Sequence, residues 1–206
     1  TLVLVSIDGF RHDYLARYRP ANMLVMAEQG FVVDRVTPVY PSNTFPAHLS
    51  LITGLKPEQH GIEDNHFCHA DRGDCYHMGG GRTDASWLRG VPLWNWVEAN
   101  GGIAATYFWP ESDARWGGRV PTYYLPYSKS APYADRVNQV LNWLRLPEPV
   151  RPNFITLYFS SVDTAGHRFG PNSEQVSTAI NALDKLIGGL WAEIQALEDP
   201  NINLLL

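Results

Sequence analysis

The sequence predicts an α/β fold, a mostly parallel sheet with helices on both faces. Short apolar runs recur at 1–7, 103–109, 154–159 and 202–206. Between them lie segments whose apolar residues return at helical spacing. Strands that alternate with helices imply right-handed crossovers, and such crossovers imply a parallel sheet covered on both sides.

The first run, Thr1 to Ile7, reads as a buried strand that stops at Asp8-Gly9. Pro20 sits where a first helical turn would begin, and Met23 to Gln29 continue that helix to Gly30. Phe31 to Val36 is a second short strand candidate, and Pro46 to Thr53 a helix ended by Gly54. From Ile62 to Gly90 the chain is polar, rich in Gly, His and Asp, and without a clear period. This stretch reads as a long loop or hairpin, and long loops in compact domains tend to be functional. Leu93 to Ala99 then reads as a helix, stopped by Gly101-Gly102, and Ile103 to Trp109 as a strand. A second loop, rich in Gly, Pro and Tyr, covers about 110–132. Val137, Val140, Leu141 and Leu144 mark a helix, Phe154 to Phe159 a buried strand, and Val176 to Ile194 a long amphipathic helix. Asn203 to Leu206 begins one more apolar strand, so the fold is expected to be incomplete at its C-terminal end.

A net charge of -5 argues against a nucleic-acid duplex as partner, which needs a basic face. It leaves room for a small phosphorylated substrate, because metal ions can supply local positive charge. No apolar run approaches the length of a transmembrane segment. Cys68 and Cys75 leave two readings open. One is a short-loop disulfide; the other is a structural zinc cluster with His66, His69 and His77. The spacing fits no Cys-x-x-Cys knuckle, which favours the disulfide.

In open parallel sheets, ligands bind beyond the carboxyl ends of the strands. Two strands here lead to aspartates, Asp8 and Asp163, and His167 follows Asp163 by one helical turn. Asp163 and His167 can therefore share a helix face and a metal ion. The plainer reading is that both aspartates cap turns or helices. Thr44 stands just before the helix expected from Pro46, among unpaired backbone amides that favour an anion. It serves there either as an N-cap or as a nucleophile.

Four phrases then match a known family in order. They are Val5-Ser-Ile-Asp8-Gly-Phe-Arg-His-Asp-Tyr14, Pro41-Ser-Asn-Thr44-Phe-Pro-Ala-His48, Thr53-Gly-Leu-Lys-Pro-Glu-Gln-His-Gly61, and Tyr158-Phe-Ser-Ser-Val-Asp163-Thr-Ala-Gly-His167-Arg-Phe-Gly-Pro171. Together they resemble the nucleotide pyrophosphatase/phosphodiesterase family of the alkaline phosphatase superfamily. The resemblance implies an alkaline-phosphatase-like fold, of which 1–206 form the N-terminal part of a single catalytic domain, with loop insertions near 62–90 and 110–132.

The resemblance also implies two zinc ions. Asp8 and the Thr44 hydroxyl would hold one, and Asp163 with His167 the other. Thr44 would be the nucleophile, forming a covalent phospho-threonine, and Asn65 would donate a hydrogen bond to a phosphoryl oxygen. Phe45 would wall the substrate pocket, while Tyr127 and Tyr158 are candidates for stacking on a base; for Tyr158 a plain core role is the competing reading. The family's remaining metal ligands would follow Leu206, so residues 1–206 by themselves are expected to bind zinc poorly and turn over little.

The substrate implied is a nucleotide or other small phosphodiester, and the setting periplasmic or extracellular. A neutral amide at Asn65 suits the single charge of a diester better than the two of a monoester. The alternatives are a phosphomonoesterase, a phosphonate hydrolase, a choline or lipid-headgroup phosphodiesterase, or an inactive binding homologue.

Overall fold

The structure, a computed structural model, describes all 206 residues. It opens with β1 (Leu2–Ile7), α1 (Tyr14–Tyr18) and α2 (Ala21–Gln29). Next come α3 (Thr44–Thr53), α4 (Pro57–His60), the hairpin strands β2 (His66–His69) and β3 (Asp74–His77), and α5 (Leu93–Ala99). Strands β4 (Ala104–Tyr107) and β5 (Tyr123–Leu125) lead to α6 (Tyr133–Leu144) and β6 (Phe154–Phe159). Helices α7 (Ser161–Phe169) and α8 (Glu174–Ala196) precede β7 (Asn203–Leu205).

Five strands form one sheet in the order β5-β4-β6-β1-β7, and β2-β3 form a separate antiparallel pair. β1 runs parallel to β7, with Leu2 opposite Asn203, and β4 runs parallel to β5, with Ala105 opposite Tyr123. Every residue of β6 is buried, as expected of a central strand covered on both faces.

The chain divides into two compact units. The first comprises Thr1–Val36, Lys129–Glu148 and Leu157–Leu206; the second comprises Thr37–Ser128 and Pro149–Thr156. In the first, α8 packs against α2, α6 and α7. Its buried stripe is Val176, Ile180, Leu183, Ile187, Leu190 and Ile194, spaced at three and four residues. Each such side chain contributes about 1.5–3 kcal/mol when fully buried.

Asp184 lies in the same stripe, and its carboxylate accepts from the Asn22 and Met23 amides at 3.1 and 2.9 Å and from Asn22 Nδ2 at 2.7 Å. These amides open α2, whose N-cap is Pro20 and has no side-chain cap of its own. A carboxylate from another helix thus satisfies donors that the helix itself cannot. Gly188 permits the approach, since a Cβ there would stand 2.4 Å from the Asn22 side chain.

In the second unit the core gathers Leu49, Ile52, Ile62, Tyr76, Trp94 and Trp116. Helix α3 begins at Thr44, two residues before the start expected from Pro46, with Asn43 as N-cap. Proline is tolerated at the third position because first-turn amides have no intrahelical acceptor. The helix ends where expected, at Gly54, whose φ of 71° suits a residue without a Cβ.

Three expectations need correction. Phe31 to Val36 is not a strand; it forms no ladder, and Phe31 is 105% exposed. Its valines favour extended backbone, but no neighbouring strand is there to pair with it. The 103–109 run yields only Ala104–Tyr107, since Phe108 turns away with φ 60°. The loop at 110–132 hides the three-residue edge strand β5, too short to show a period. The polar 62–90 stretch is a hairpin followed by short 3-10 turns, and Cys68 and Cys75 are joined as a disulfide. That bond removes both thiolates from any zinc cluster.

Candidate active site

In the first unit, β1 delivers Asp8 and β6 leads into α7, which carries Asp163 and His167. The two strand ends are stitched together by the backbone. Asp8 N donates to Phe159 O at 2.9 Å, and Asp163 N donates to Asp8 O at 3.0 Å. Gly9, with φ 73°, makes this approach possible, because a Cβ there would lie 2.7 Å from Asp163 Cα. His167 sits one turn beyond Asp163 on α7, with Nε2 3.2 Å from Asp163 Oδ1. Its side chain is 80% exposed.

Tyr158 is placed differently from a base-stacking residue. It is only 7% exposed, so its ring is core, and its hydroxyl donates to Asp8 Oδ2 at 2.8 Å. Its contact orients the carboxylate of Asp8.

In the second unit, Thr44 is the first residue of α3 and Phe45 the second. Phe45 N donates to Asn65 Oδ1 at 2.9 Å. This bond fixes the amide orientation of Asn65: with the oxygen accepting from the helix, Nδ2 is the group left to donate elsewhere. Asp64 holds the segment in place, accepting from Asn65 N at 2.6 Å and from Asn43 Nδ2 at 2.5 Å. His48 Nδ1 lies 2.7 Å from Thr44 O, and Trp109 Nε1 donates to His48 O at 3.1 Å. The start of α3 is thus held by residues from two other segments, 64–65 and Trp109.

Phe45 meets the edge of Tyr76 with ring centroids 6.3 Å apart. Tyr76 in turn donates its hydroxyl to Glu111 Oε1, which also accepts from Gly81 N at 3.1 Å. Glu111 is 2% exposed, and burial raises its pKa. Burial and the adjoining Glu111 likewise push the Tyr76 phenol upward. Tyr127 packs against Phe108 at 5.1 Å and remains 52% exposed.

The structure therefore groups Asp8, Asp163, His167 and Tyr158 in one unit and Thr44, Phe45, Asn65 and Tyr127 in the other. Two carboxylates and an imidazole are donors that zinc accepts. Nowhere in the chain do three or more His, Cys, Asp or Glu side chains converge on one point for a metal ion. The donor chemistry fits zinc, while the donor count falls short of a closed site. Sequence reasoning missed Tyr76 and Glu111. Glu111 lies in a loop and Tyr76 in a short strand of a polar, aperiodic stretch, and nothing in their immediate neighbours marks them as buried.

The chain has relatives in both sequence and fold. The sequence model of the family described as type I phosphodiesterase / nucleotide pyrophosphatase matches residues 2–205. Venom phosphodiesterase from Macrovipera lebetinus is 38% identical over 209 residues, covering 100% of this chain and 25% of the relative. Human ectonucleotide pyrophosphatase/phosphodiesterase family member 1 is 35% identical over 198 residues, covering 95% and 21%. The chain thus spans about a quarter of the length of the curated relatives it matches. Among solved structures, inactive murine ectonucleotide pyrophosphatase / phosphodiesterase 5 in complex with AMP superposes with a TM-score of 0.90 at 29% identity, over 98% of this chain and 55% of the other. The human form of that protein gives 0.91 at 30% identity, with the same coverage. With a family match along nearly its whole length and a shared fold, the chain belongs to the type I phosphodiesterase / nucleotide pyrophosphatase family.

Proposed function

We propose that this chain carries part of the catalytic site of a phosphodiesterase that cleaves phosphodiester or pyrophosphate bonds of nucleotides, with Thr44 as nucleophile. The observation that carries the reading is the bond from Phe45 N to Asn65 Oδ1. It presents a neutral amide donor at the positive end of a helix whose first residue is a threonine. A hydroxyl and an oriented N–H there suit a phosphoryl group with one negative charge.

In the proposed reaction Thr44 Oγ forms a bond to phosphorus as the bond to the leaving oxygen breaks. The hydroxyl proton passes to solvent, and the leaving group takes one up. Water then cleaves the phospho-threonine and restores the hydroxyl. Asn65 Nδ2 donates to a non-bridging oxygen throughout, stabilising charge that spreads over the phosphoryl oxygens. Phe45, braced by Tyr76, and the exposed Tyr127 offer aromatic surface to the organic substituent. Tyr158 steers Asp8 rather than touching substrate.

Zinc is the proposed metal, Asp8 contributing to one ion and Asp163 with His167 to a second. Bound there, it would supply the positive charge that lowers the pKa of a hydroxyl and neutralises a departing oxyanion. The words "venom" and "ecto" in the relatives' names support a site of action outside the cytoplasm.

The test is hydrolysis by the full-length protein of an aryl phosphodiester and of the matching monoester, with and without chelator. The expected result is faster cleavage of the diester, lost on chelation and restored by zinc. Preference for the monoester would overturn the substrate class. Activity untouched by chelation would overturn the metal. Thr44→Ala is expected to abolish the pre-steady-state burst; a burst retained in that variant refutes the nucleophile.

A further inference from the structure

The hairpin carries two imidazoles that the proposed hydrolysis does not use. His66 and His77 face each other across the β2–β3 ladder, both exposed. Their Nδ1 atoms lie 2.8 Å apart and their ring centroids 4.3 Å. Side chains alternate between the two faces of a strand, so the histidines share one face with Cys68 and Cys75. Phe67 and Tyr76 turn to the other face, where Tyr76 packs against Phe67 and Trp87 at 5.4 and 5.8 Å.

The register of the hairpin is fixed from both sides. On the histidine face the Cys68–Cys75 disulfide joins the next pair along that face. On the opposite face the aromatic cluster buries Tyr76 completely. The strands cannot slide without breaking one or the other, so the two imidazoles are held as a pair before any ligand arrives.

We propose that His66 and His77 form a bidentate site for a tetragonal divalent metal ion of the copper(II) or nickel(II) class. Two nitrogens each about 2.0 Å from a metal lie about 2.8 Å apart at a right angle and about 3.3 Å apart at a tetrahedral angle. The observed 2.8 Å is the length of the hydrogen bond that joins the ligand-free pair, so the two nitrogens already sit close enough to serve adjacent coordination positions with little rearrangement. In the ligand-free pair one ring donates its Nδ1–H to the other. Binding takes that ring to its Nε2–H tautomer, which frees both Nδ1 lone pairs for the ion. No third His, Cys, Asp or Glu side chain joins them, so water completes the coordination. Among first-row divalent ions the order of affinities puts copper ahead of nickel and zinc at such a nitrogen pair.

This inference is independent of the proposed hydrolysis, and its test reads metal binding alone. The full-length protein, first saturated with zinc to fill any catalytic centre, is titrated with copper(II) by calorimetry and paramagnetic resonance. The wild type is expected to bind one copper ion more than the His66→Asn variant, with the signature of two imidazole nitrogens. His77→Asn is expected to weaken that binding by roughly tenfold or more. Both side chains are exposed, so the variants should melt with the wild type, and that is measured alongside. Equal copper number and affinity in the wild type and both variants would overturn the site, as would a single-imidazole spectrum in the wild type. A protein without zinc-dependent hydrolysis would still show the difference between wild type and variants if the site is real.

Discussion

Glu111 takes its carboxyl into the interior with Tyr76 and Gly81 as its partners, and its backbone sits at a φ of 61°. Its second oxygen, Oε2, is buried without a hydrogen bond. Burial raises its pKa above the ordinary 4.5. Below that value both folded and unfolded chains hold the proton, and the group adds no pH dependence. As pH rises, the unfolded chain ionises first, so stability falls until the folded carboxyl titrates as well. Glu111→Gln, which never ionises, is expected to melt with a flatter pH profile between acid and neutral conditions. The gap is read at about 2–4 °C for each kcal/mol in a chain of this size. Parallel melting profiles of wild type and variant would refute the assignment. Asn65 belongs to the same scale. If it donates to the phosphoryl oxygen, Asn65→Ala is expected to lower kcat by about 10²–10³ with little change in KM; a change confined to KM would assign it to ground-state binding. None of this was legible in the sequence for Glu111 or Tyr76, because their roles come from partners 30 and 35 residues away. Asp8, Thr44, Asp163 and His167 could be singled out in the sequence, since each stands near a strand or helix end where chemistry collects, and their roles are those proposed above.

Among the elements, α8 organises its unit most directly. Its seven buried positions include one carboxylate, Asp184, and that residue closes the start of α2. Asp184→Ala leaves buried amides without an acceptor and is expected to destabilise the protein by about 2–4 kcal/mol. The measurement is a lower urea midpoint at unchanged slope; a midpoint within error of wild type would show that water replaces the carboxylate. The helix itself was plain from its apolar spacing, and so was β1. The carboxylate cap was not, because a lone Asp in an apolar stripe carries no label for its partner. Phe31 to Val36 shows the converse: its residues favour a strand, and the fold gives them no neighbour to pair with. β5 went unseen for a simpler reason, being three residues long in a Gly, Pro and Tyr-rich loop.

For the molecule as a whole, alternating strands and helices announced a mostly parallel sheet, and the structure has one in the order β5-β4-β6-β1-β7. The order itself could not be read from the chain, since local periodicity says nothing about which strands become neighbours. The proposed zinc ions have a consequence at this scale. A ligand that binds the folded state alone stabilises it by mass action, in proportion to the logarithm of its excess over its dissociation constant. Chelation of the full-length protein is therefore expected to lower Tm by several degrees, about 2.7 kcal/mol being at stake at a hundredfold excess. Re-addition of zinc should restore it, and a Tm indifferent to chelator would count against resident metal.

The cap on α2 also has a meaning for how the chain is made. Asn22 and Met23 leave the ribosome early, while the carboxylate that receives their amides lies 162 and 161 residues further along. One edge of β1 waits longer still: its neighbour β6 ends at Phe159, but its other neighbour β7 begins at Asn203. During vectorial synthesis the start of α2 must remain without its native cap until the last long helix has emerged. The second unit, drawn mostly from Thr37–Ser128, has its residues together far sooner. Newborn chains therefore have a window in which one edge of the first strand is unpaired, and that window closes only once Asn203–Leu205 has been made.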